Sequence, residues 1–517
     1  MKLYSAEEMT RADEGAQRLG VPGGVLMERA GAEMARVGRE FYASLGHGHK
    51  VLVVCGGGNN GGDGFVIARE FYRAGAEVAV LPTKDEYEGD AKTNLEILRN
   101  LDVRILGRSE IHESDYDFEE VDLIVDALLG TGFSGEVRGE AAEYIDFMNS
   151  YSAPILSVDV PSGVDASTGE VQGVAVCADV TVCAHAAKIG CAVSPGREHA
   201  SSGKEHGGKV LVVDIGIPPE ADVEPAARWT NASSFRGLIP RRAGAAHKYS
   251  AGSLVVVAGS AEATGAAVMV GKGAQRAGCG IIFVVTAESD APLVDVQLTE
   301  ALVSGAPEDG SGNMSANALE SILEGAQRAS AMVVGPAMGV EEDGRKLVEG
   351  ILDGADVPVL LDADAISNLA ESGLETLARR NAPTVITPHA GEFGRLLGED
   401  VKKISARRLH FVQRAAREAG CCILLKGEDT LVAQGERVAV NSSGNSALAT
   451  AGTGDVLSGV IGALLARGTD PYNAARAGAW AHGRAAELWL EDSRWPPESM
   501  AATDLLPYLP RAFAEVY

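Results

Sequence analysis

Short apolar runs recur along the chain, separated by stretches long enough for helices. In the first part the runs are 51–55, 77–81, 123–126, 155–160 and 210–214, with 1–49 reading as helical and glycine and histidine clustering at 46–49. A helix is predicted over 65–73, ending near Gly75. The alternation restarts in the second part, with strands predicted at 254–258, 281–286, 332–334, 359–362, 384–387 and 423–426, and a helix at 455–467. Strands alternating with helices predict parallel sheets covered on both faces, hence an α/β protein. Between the two series, 216–229 is rich in Pro and acidic residues and lacks periodicity, so the domain boundary is placed there, with domains of 1–220 and 226–517.

Composition sharpens this picture. Apolar residues make up 46% of the 517, and 63 glycines stand beside only 5% aromatics, which suits loops that approach phosphates or other backbones closely. The net charge of −27 disfavours polyanionic partners and anionic membranes, so no nucleic-acid or membrane partner is expected. Seven cysteines (55, 177, 183, 191, 279, 421 and 422) form no Cys-x-x-Cys pair, which argues against a disulfide framework or structural zinc. No signal-peptide core is visible, and no apolar run approaches the about 18 residues of a membrane span. A cytoplasmic protein is expected.

Residues 55–64 leave a strand and enter a helix, and Gly56, Gly58 and Gly61 satisfy G-x-G-x-x-G. The dehydrogenase fingerprint fails further on, because the second strand meets Pro82 with no acid to hold a ribose. What remains is a loop whose N–H groups, at a helix N-terminus, can hold a phosphate. Two more polar loops follow strands, beginning at Asp126 and Asp159; in open parallel sheets such loops converge on one crevice. Either Asp could instead cap a helix.

The strings GGGNNGGDG, DALLGTG and DVPSGVDASTG, followed by ADVTV, resemble the NAD(P)HX epimerase family over about residues 1–220. NAD(P)HX is the reduced nicotinamide cofactor with water added across a ring double bond. The resemblance implies a Rossmann-like three-layer sandwich. It implies that Asn60, Asp126 and Ser162 hold a potassium ion (K+), and that Asp159 sits at the reacting ring as the catalytic residue. Substrate phosphates and sugars would lie on Asn59, Asn60, Gly61, Gly62 and Asp63, and on Gly130, Thr131, Gly132, Phe133, Ser134, Gly135 and Glu136. The family usually has Pro before the lysine of the stretch holding Lys188, where this chain has Ala187.

In the second part, ATAGTGD leads into an apolar helix. Gly452 and Gly454 let several N–H groups face one point, and Asp455 beside that anion hole suits deprotonation of a hydroxyl that attacks a phosphate. The alternative is that Asp455 is an N-cap. Together with His247-Lys248, Gly259-Ser260, GPAMG and TPHAGE, this turn resembles the ribokinase-like superfamily, and within it the NAD(P)HX dehydratases, over about 235–510. The resemblance implies a ribokinase-like α/β domain in which a nucleotide phosphorylates the hydrate's hydroxyl before phosphate is eliminated. Asp455 would be catalytic, and Ala266, Gly339, His389 and Asp455 would contact the hydrate. Lys426, Gly427, Glu428, Asp429, Thr430 and Gly454 would bind the nucleotide, taken as ADP with Mg2+. His389 alone could equally be structural. The chain departs from the family at Ser446-Ala447, where Pro-Gly is usual, at Ala451, where Gly is usual, and at GPAMG in place of GPGLG.

The expected activity is bifunctional repair: epimerisation of hydrated NADH and NADPH, and ADP-dependent dehydration of the S form. A homo-oligomer is expected. Two rivals remain on the sequence alone: a C-terminal kinase for a small hydroxylated vitamin precursor, and a catalytically silent N-terminal binding domain.

Overall fold

The computed structural model describes residues 1–44, 49–108, 116–201, 209–245, 247–261 and 263–517. All but the last residue of the glycine and histidine cluster at 46–49 therefore lies outside the described residues. Two compact units emerge: Lys2–Arg228 with Ala406–Leu409, and Trp229–Ser405 with His410–Tyr517 and Met1.

The N-terminal unit opens with a strand the sequence pattern did not reveal, β1 (Lys2–Tyr4), and two helices, Ala6–Arg18 and Gly23–Ser44. Its strands are β2 (Lys50–Cys55), β3 (Glu77–Pro82), β4 (Arg104–Ile105), β5 (Leu123–Ala127), β6 (Ile155–Val158), β7 (Val180–Ala184), β8 (Ala187–Lys188) and β9 (Lys209–Val213). Seven of these form a sheet of order β4-β3-β2-β5-β6-β7-β9, parallel throughout. The order reverses between β2 and β5, which opens a crevice beyond their carboxyl ends, as in the Rossmann fold.

The strand β10 (Ala227–Trp229) pairs antiparallel with β1 through Leu3 and Ala227. The C-terminal unit follows with β11 (Ser253–Val257), β12 (Ile281–Ala287), β13 (Leu302–Ala306), β14 (Ala331–Val334), β15 (Val359–Leu361), β16 (Thr384–Ile386), β17 (Cys422–Leu425), β18 (Leu431–Gln434) and β19 (Arg437–Val440). The sheet order is β13-β12-β11-β14-β15-β16-β17-β18-β19, parallel up to β17 and antiparallel beyond. Here the reversal lies between β11 and β14. This is the mainly parallel α/β architecture of ribokinase-like proteins.

Two helices against this sheet, Thr264–Arg276 and Thr453–Ala466, touch backbone to backbone. A Cβ on Gly459 would lie 2.0 Å from the Val270 carbonyl, and one on Gly273 2.5 Å from that of Val456. Only glycine allows that approach, and it fixes the turn that opens the second helix against the first. The apolar face around them, including Val256, Val333, Leu360, Val460 and Leu464, is fully buried.

Candidate active sites

In the N-terminal unit the helix after β2 begins at Asn59, six residues earlier than the pattern predicted, and runs to Arg73. Gly58 is its N-cap, so Asn59, Asn60, Gly61, Gly62 and Asp63 form its first turns rather than a loop. Packing explains the glycines. A Cβ on Gly61 would stand 1.8 Å from the Gly56 carbonyl, and one on Gly56 1.7 Å from that of Leu128. The first turn is thereby pressed onto the segment after β5, where Asn60 Nδ2 donates to the Leu129 carbonyl at 3.1 Å.

Asp126, inside β5, is wholly buried. Its carboxylate accepts from Ser157 Oγ (2.8 Å), Ser162 Oγ (2.5 Å), Ser162 N (2.9 Å) and Leu128 N (3.3 Å). Ser162 Oγ also lies 3.2 Å from the Leu129 carbonyl. Asn60 and Ser162 thus meet at the Leu129 carbonyl, and Ser162 joins them to Asp126. Burial pushes the Asp126 carboxyl above its ordinary range against the pull of these donors, and no cationic side chain is among its partners in the described residues.

Asp159 follows β6 with φ of 68°, a conformation that L-residues rarely adopt, and it cuts the strand short of the predicted 160. Its Oδ1 accepts from Ala184 N at 3.0 Å and from Lys188 Nζ. Lys188 is fully buried and donates twice more, to the carbonyls of Ala184 and Ala186, each at 3.0 Å. Burial works against the ammonium, yet Asp159 and Cys183 keep its pKa above the ordinary value. Lys188, which follows the departure at Ala187, is the ion-pair partner of Asp159. Neither Asp caps a helix: the next helix after Asp126, Glu140–Ser150, has Gly139 as its N-cap, and no helix opens at Asp159.

Two further carboxylates respond to the same centre. Burial, then Asp159, raises Asp63 well above its ordinary range, and the same causes raise Asp13 to about 6. Asp13, on the helix Ala6–Arg18, escaped the sequence reading because an amphipathic helix gives no strand-end signal. Around Gly130–Glu136, Phe133 N closes a turn on the Gly130 carbonyl at 3.0 Å, and Glu136 pairs with Arg138. Gly132, Ser134, Gly135 and Glu136 are exposed, while Gly130, Thr131 and Phe133 are half-buried.

In the C-terminal unit, Gly452 is the N-cap of the helix Thr453–Ala466 with φ of 88°, so Asp455 is its third residue and not its cap. The first N–H groups of that helix, including that of Gly454, face outward without intrahelical partners. Burial first, then Asp362, lifts the Asp455 carboxyl to about 7, against the pull of Lys426. Lys426 Nζ donates to Asp362 Oδ1 at 2.8 Å, and Ser458 Oγ to Asp362 Oδ2 at 2.7 Å. A Cβ on Gly454 would lie 3.7 Å from that ammonium, which sets the cation beside the turn. Asp362 was not singled out in the sequence, although it ends a predicted strand as Asp126 does.

The segment from Lys426 is closed by Thr430, whose Oγ1 donates to the Gly427 carbonyl at 2.8 Å; Glu428 is exposed and Asp429 buried. His389 caps the helix Ala390–Leu397: its Nδ1 accepts from Gly391 N (2.9 Å) and Glu392 N (3.2 Å). That structural role leaves Nε2 as the N–H, on a side chain that is 55% exposed, so capping and ligand contact are compatible. Gly339 has φ of 88°; its N donates to Asp364 at 3.0 Å and its carbonyl accepts from Asn368 at 2.9 Å. Ala266 lies in the first turn of Thr264–Arg276. In GPAMG, Ala337 takes φ of 54°, so the Cβ absent from the family's usual glycine is held here in a left-handed conformation.

Residues 254–511 match the family described as NAD(P)H-hydrate dehydratase, and residues 23–190 the family described as YjeF-related protein N-terminus. The bifunctional NAD(P)H-hydrate repair enzyme of Moorella thermoacetica is 36% identical, covering 99% of this chain and 96% of its own. The chain belongs to the bifunctional NAD(P)H-hydrate repair enzymes. The Salinibacter ruber member is 38% identical over 99% of this chain and 96% of its own. A Bacillus subtilis ADP/ATP-dependent NAD(P)H-hydrate dehydratase, co-crystallised with ATP and Mg2+, is 30% identical, covering 56% of this chain and 98% of its own with a TM-score of 0.49. Membership over both units favours a repair enzyme with epimerase and dehydratase domains over the vitamin-precursor kinase.

Proposed function

We propose that the N-terminal unit interconverts the R and S forms of hydrated NADH and NADPH, and that the C-terminal unit dehydrates the S form at the expense of ADP in the cytoplasm. The observation that carries the first half is the Asp159–Lys188 pair. Oδ1 is occupied by Lys188 and Ala184, while Oδ2 has no hydrogen bond among the described residues and is the atom left to move a proton. A proton that Oδ2 takes up from water and passes to the ring hydroxyl lets it leave as water; water adding to the other face of the planar ring returns that proton to Oδ2. The segments 59–63 and 130–136 would hold the phosphates and sugars. Asn60, Asp126 and Ser162 would hold potassium, and a buried carboxylate ringed by neutral oxygens, without a cationic side chain, fits a monovalent hard cation. When bound, that cation supplies the positive charge the pocket lacks.

In the second half, Asp455 takes the proton of the substrate hydroxyl, whose oxygen attacks the terminal phosphoryl group of ADP and releases AMP. The C–O bond of the phosphate ester then breaks, phosphate departs, and loss of a ring proton restores the double bond. Gly454 and the segment from Lys426 to Thr430 would hold the nucleotide, with Ala266, Gly339 and His389 on the hydrate. A carboxyl held at about 7 beside a lysine and a helix N-terminus is matched to that work at neutral pH. Half-buried Asp364 is an oxygen donor suited to Mg2+, which would neutralise the phosphates when bound.

The test is incubation of the full chain with a racemic hydrate, potassium and ADP or ATP, following reduced-nicotinamide absorbance. Full recovery with ADP is expected, and recovery stopping near half for Asp126→Ala, which can use one epimer only. No recovery with either nucleotide, together with phosphorylation of a hydroxymethylpyrimidine, would overturn the reading in favour of a kinase.

A further inference from the structure

The C-terminal unit holds a second basic cavity that the repair chemistry does not use. Its volume is about 430 Å³, and Arg241, Arg242, Arg276, Arg467, Phe513 and Tyr517 line most of it. It sits at the carboxyl ends of the two contacting helices, Thr264–Arg276 and Thr453–Ala466, whereas Ala266 and Asp455 lie in their first turns. At 1.5 Å per residue, Arg467 is roughly 18 Å along the helix from Asp455. The cavity is therefore not an arm of the nucleotide site described above.

Arginines at helix C-termini have an ordinary explanation: they hydrogen-bond the last carbonyls. This accounts for two of the four. Arg467 donates to the Ala277 carbonyl at 2.8 Å and to Tyr517 Oη at 2.7 Å, and Arg242 donates to the Gly278 carbonyl at 2.9 Å. Arg241 lies over the Tyr517 ring, 5.4 Å from its centroid, and Arg276 points to the cavity with no recorded hydrogen bond among the described residues. None of the four forms an ion pair with an acidic side chain among the described residues, although the chain has 72 acidic residues against 45 Lys and Arg. Among the described residues, no acidic residue lines the cavity. Four unneutralised guanidiniums gathered on so acidic a protein repel one another, and an anion relieves that repulsion.

We infer that this cavity binds an oligophosphate, with a nucleoside di- or triphosphate as its fullest occupant. Guanidinium forks match phosphate oxygens two at a time, so four of them suit an anion carrying more than one phosphate. Phe513 and Tyr517, stacked with centroids 6.3 Å apart, supply an aromatic wall for a base. The volume lies within the roughly 300–1,000 Å³ of small-molecule sites. The inference does not depend on the chemistry at Asp455.

The test is isothermal titration of the full chain with ADP and, separately, with pyrophosphate, on wild type and on Arg242→Ser/Arg276→Ser. Two ADP sites per chain are expected in wild type and one in the variant, with pyrophosphate binding weakened at least tenfold by the substitutions and by added salt. A nucleotide is the occupant if ADP binds the second site more tightly than pyrophosphate does; an inorganic oligophosphate is if it does not. Basal ADP-dependent dehydration should be unchanged, and an unaltered melting temperature would show that the variant is folded. One ADP site in both proteins, with no pyrophosphate binding that the substitutions weaken, would overturn the inference. Arg276→Ser alone, which removes no recorded bond, repeats the test should the double variant fold poorly.

Discussion

Asp455 and His482 share one neighbourhood but are displaced in opposite directions. Burial, then Asp362, raises the carboxyl to about 7, while burial lowers the imidazole to about 4. His482 is only 7% exposed, and its Nε2 has no partner among the described residues. For catalysis, the rate of dehydration should fall about tenfold per pH unit below the Asp455 value, since only the ionised carboxylate can accept a proton. Asp455→Asn should lose that dependence along with about 10²–10⁴ in rate, while epimerisation stays intact. For stability the two groups oppose each other. The Asp455 value is raised on folding, so its contribution is full below about 4 and is lost as pH rises through about 7. The His482 value is depressed, so the folded state loses stability as pH falls from 6.5 towards about 4. Between those limits the effects offset, and Asp455→Asn should expose the histidine's loss, on the order of 1 kcal/mol per pH unit. Calorimetry from pH 6.5 to 4.5 should show a steeper acid decline in the variant than in wild type. Parallel declines would mean that the two groups are not buried as described.

The glycine-rich helix start after β2 shows what a string of residues conceals. The pattern G-x-G-x-x-G treats Gly56, Gly58 and Gly61 alike, but only two of them are sterically required. Gly58 has open space around it and φ of −103°, whereas added Cβ atoms on Gly56 and Gly61 would meet backbone carbonyls below 2 Å. Gly61→Ala should therefore destabilise the N-terminal unit by about 3 kcal/mol or more and abolish epimerisation, because backbone cannot step aside as a side chain can. Gly58→Ala should cost no more than about 1 kcal/mol. Comparable melting temperatures for the two variants would refute this reading of the turn. The same limit governs what was legible elsewhere. Long apolar runs such as those at β2, β5, β11 and β17 announce themselves, because burial on both faces demands continuous apolar sequence. The strands β1, β4, β7, β8, β10, β13, β18 and β19 did not: most are short, partly exposed or antiparallel, and β7, though buried between β6 and β9, has its apolar run broken by Thr181. Asp126 and Asp159, at strand ends, and the glycine-rich helix start holding Asp455 were readable from local sequence. The pairings of Lys188 with Asp159 and of Asp362 with Lys426 and Ser458, and the approach of Asp13, were not, since only the fold brings these residues within reach.

At the scale of the whole chain, the sequence puts the boundary within 216–229, and the compact units change over at its far end, between Arg228 and Trp229. The acidic, Pro-rich stretch lacks periodicity, yet it is tied to the start of the chain. Asp222 accepts from Lys2 Nζ and from Tyr4 Oη, Val223 N donates to Tyr4 Oη at 3.1 Å, and Ala226 N donates to Glu8 at 2.8 Å. Leu3, paired with Ala227, and Tyr4 are fully buried. Residues with fixed hydrogen-bond partners need no helical or strand periodicity, so pattern alone does not reveal these ties. Separable halves should consequently depend on where the cut falls. A chain ending at Arg228 should epimerise with full activity and melt cooperatively. One ending at Glu220 removes the Asp222, Val223 and Ala226 partners of Tyr4 and Glu8 and leaves β1 paired with β8 alone, so it should melt several degrees lower, since about 1 kcal/mol shifts the transition of a domain this size by roughly 2–4 °C. A chain starting at Trp229 should dehydrate the S form alone. Equal melting temperatures for the two N-terminal fragments would mean that residues 221–228 contribute no net stability, whatever bonds they make.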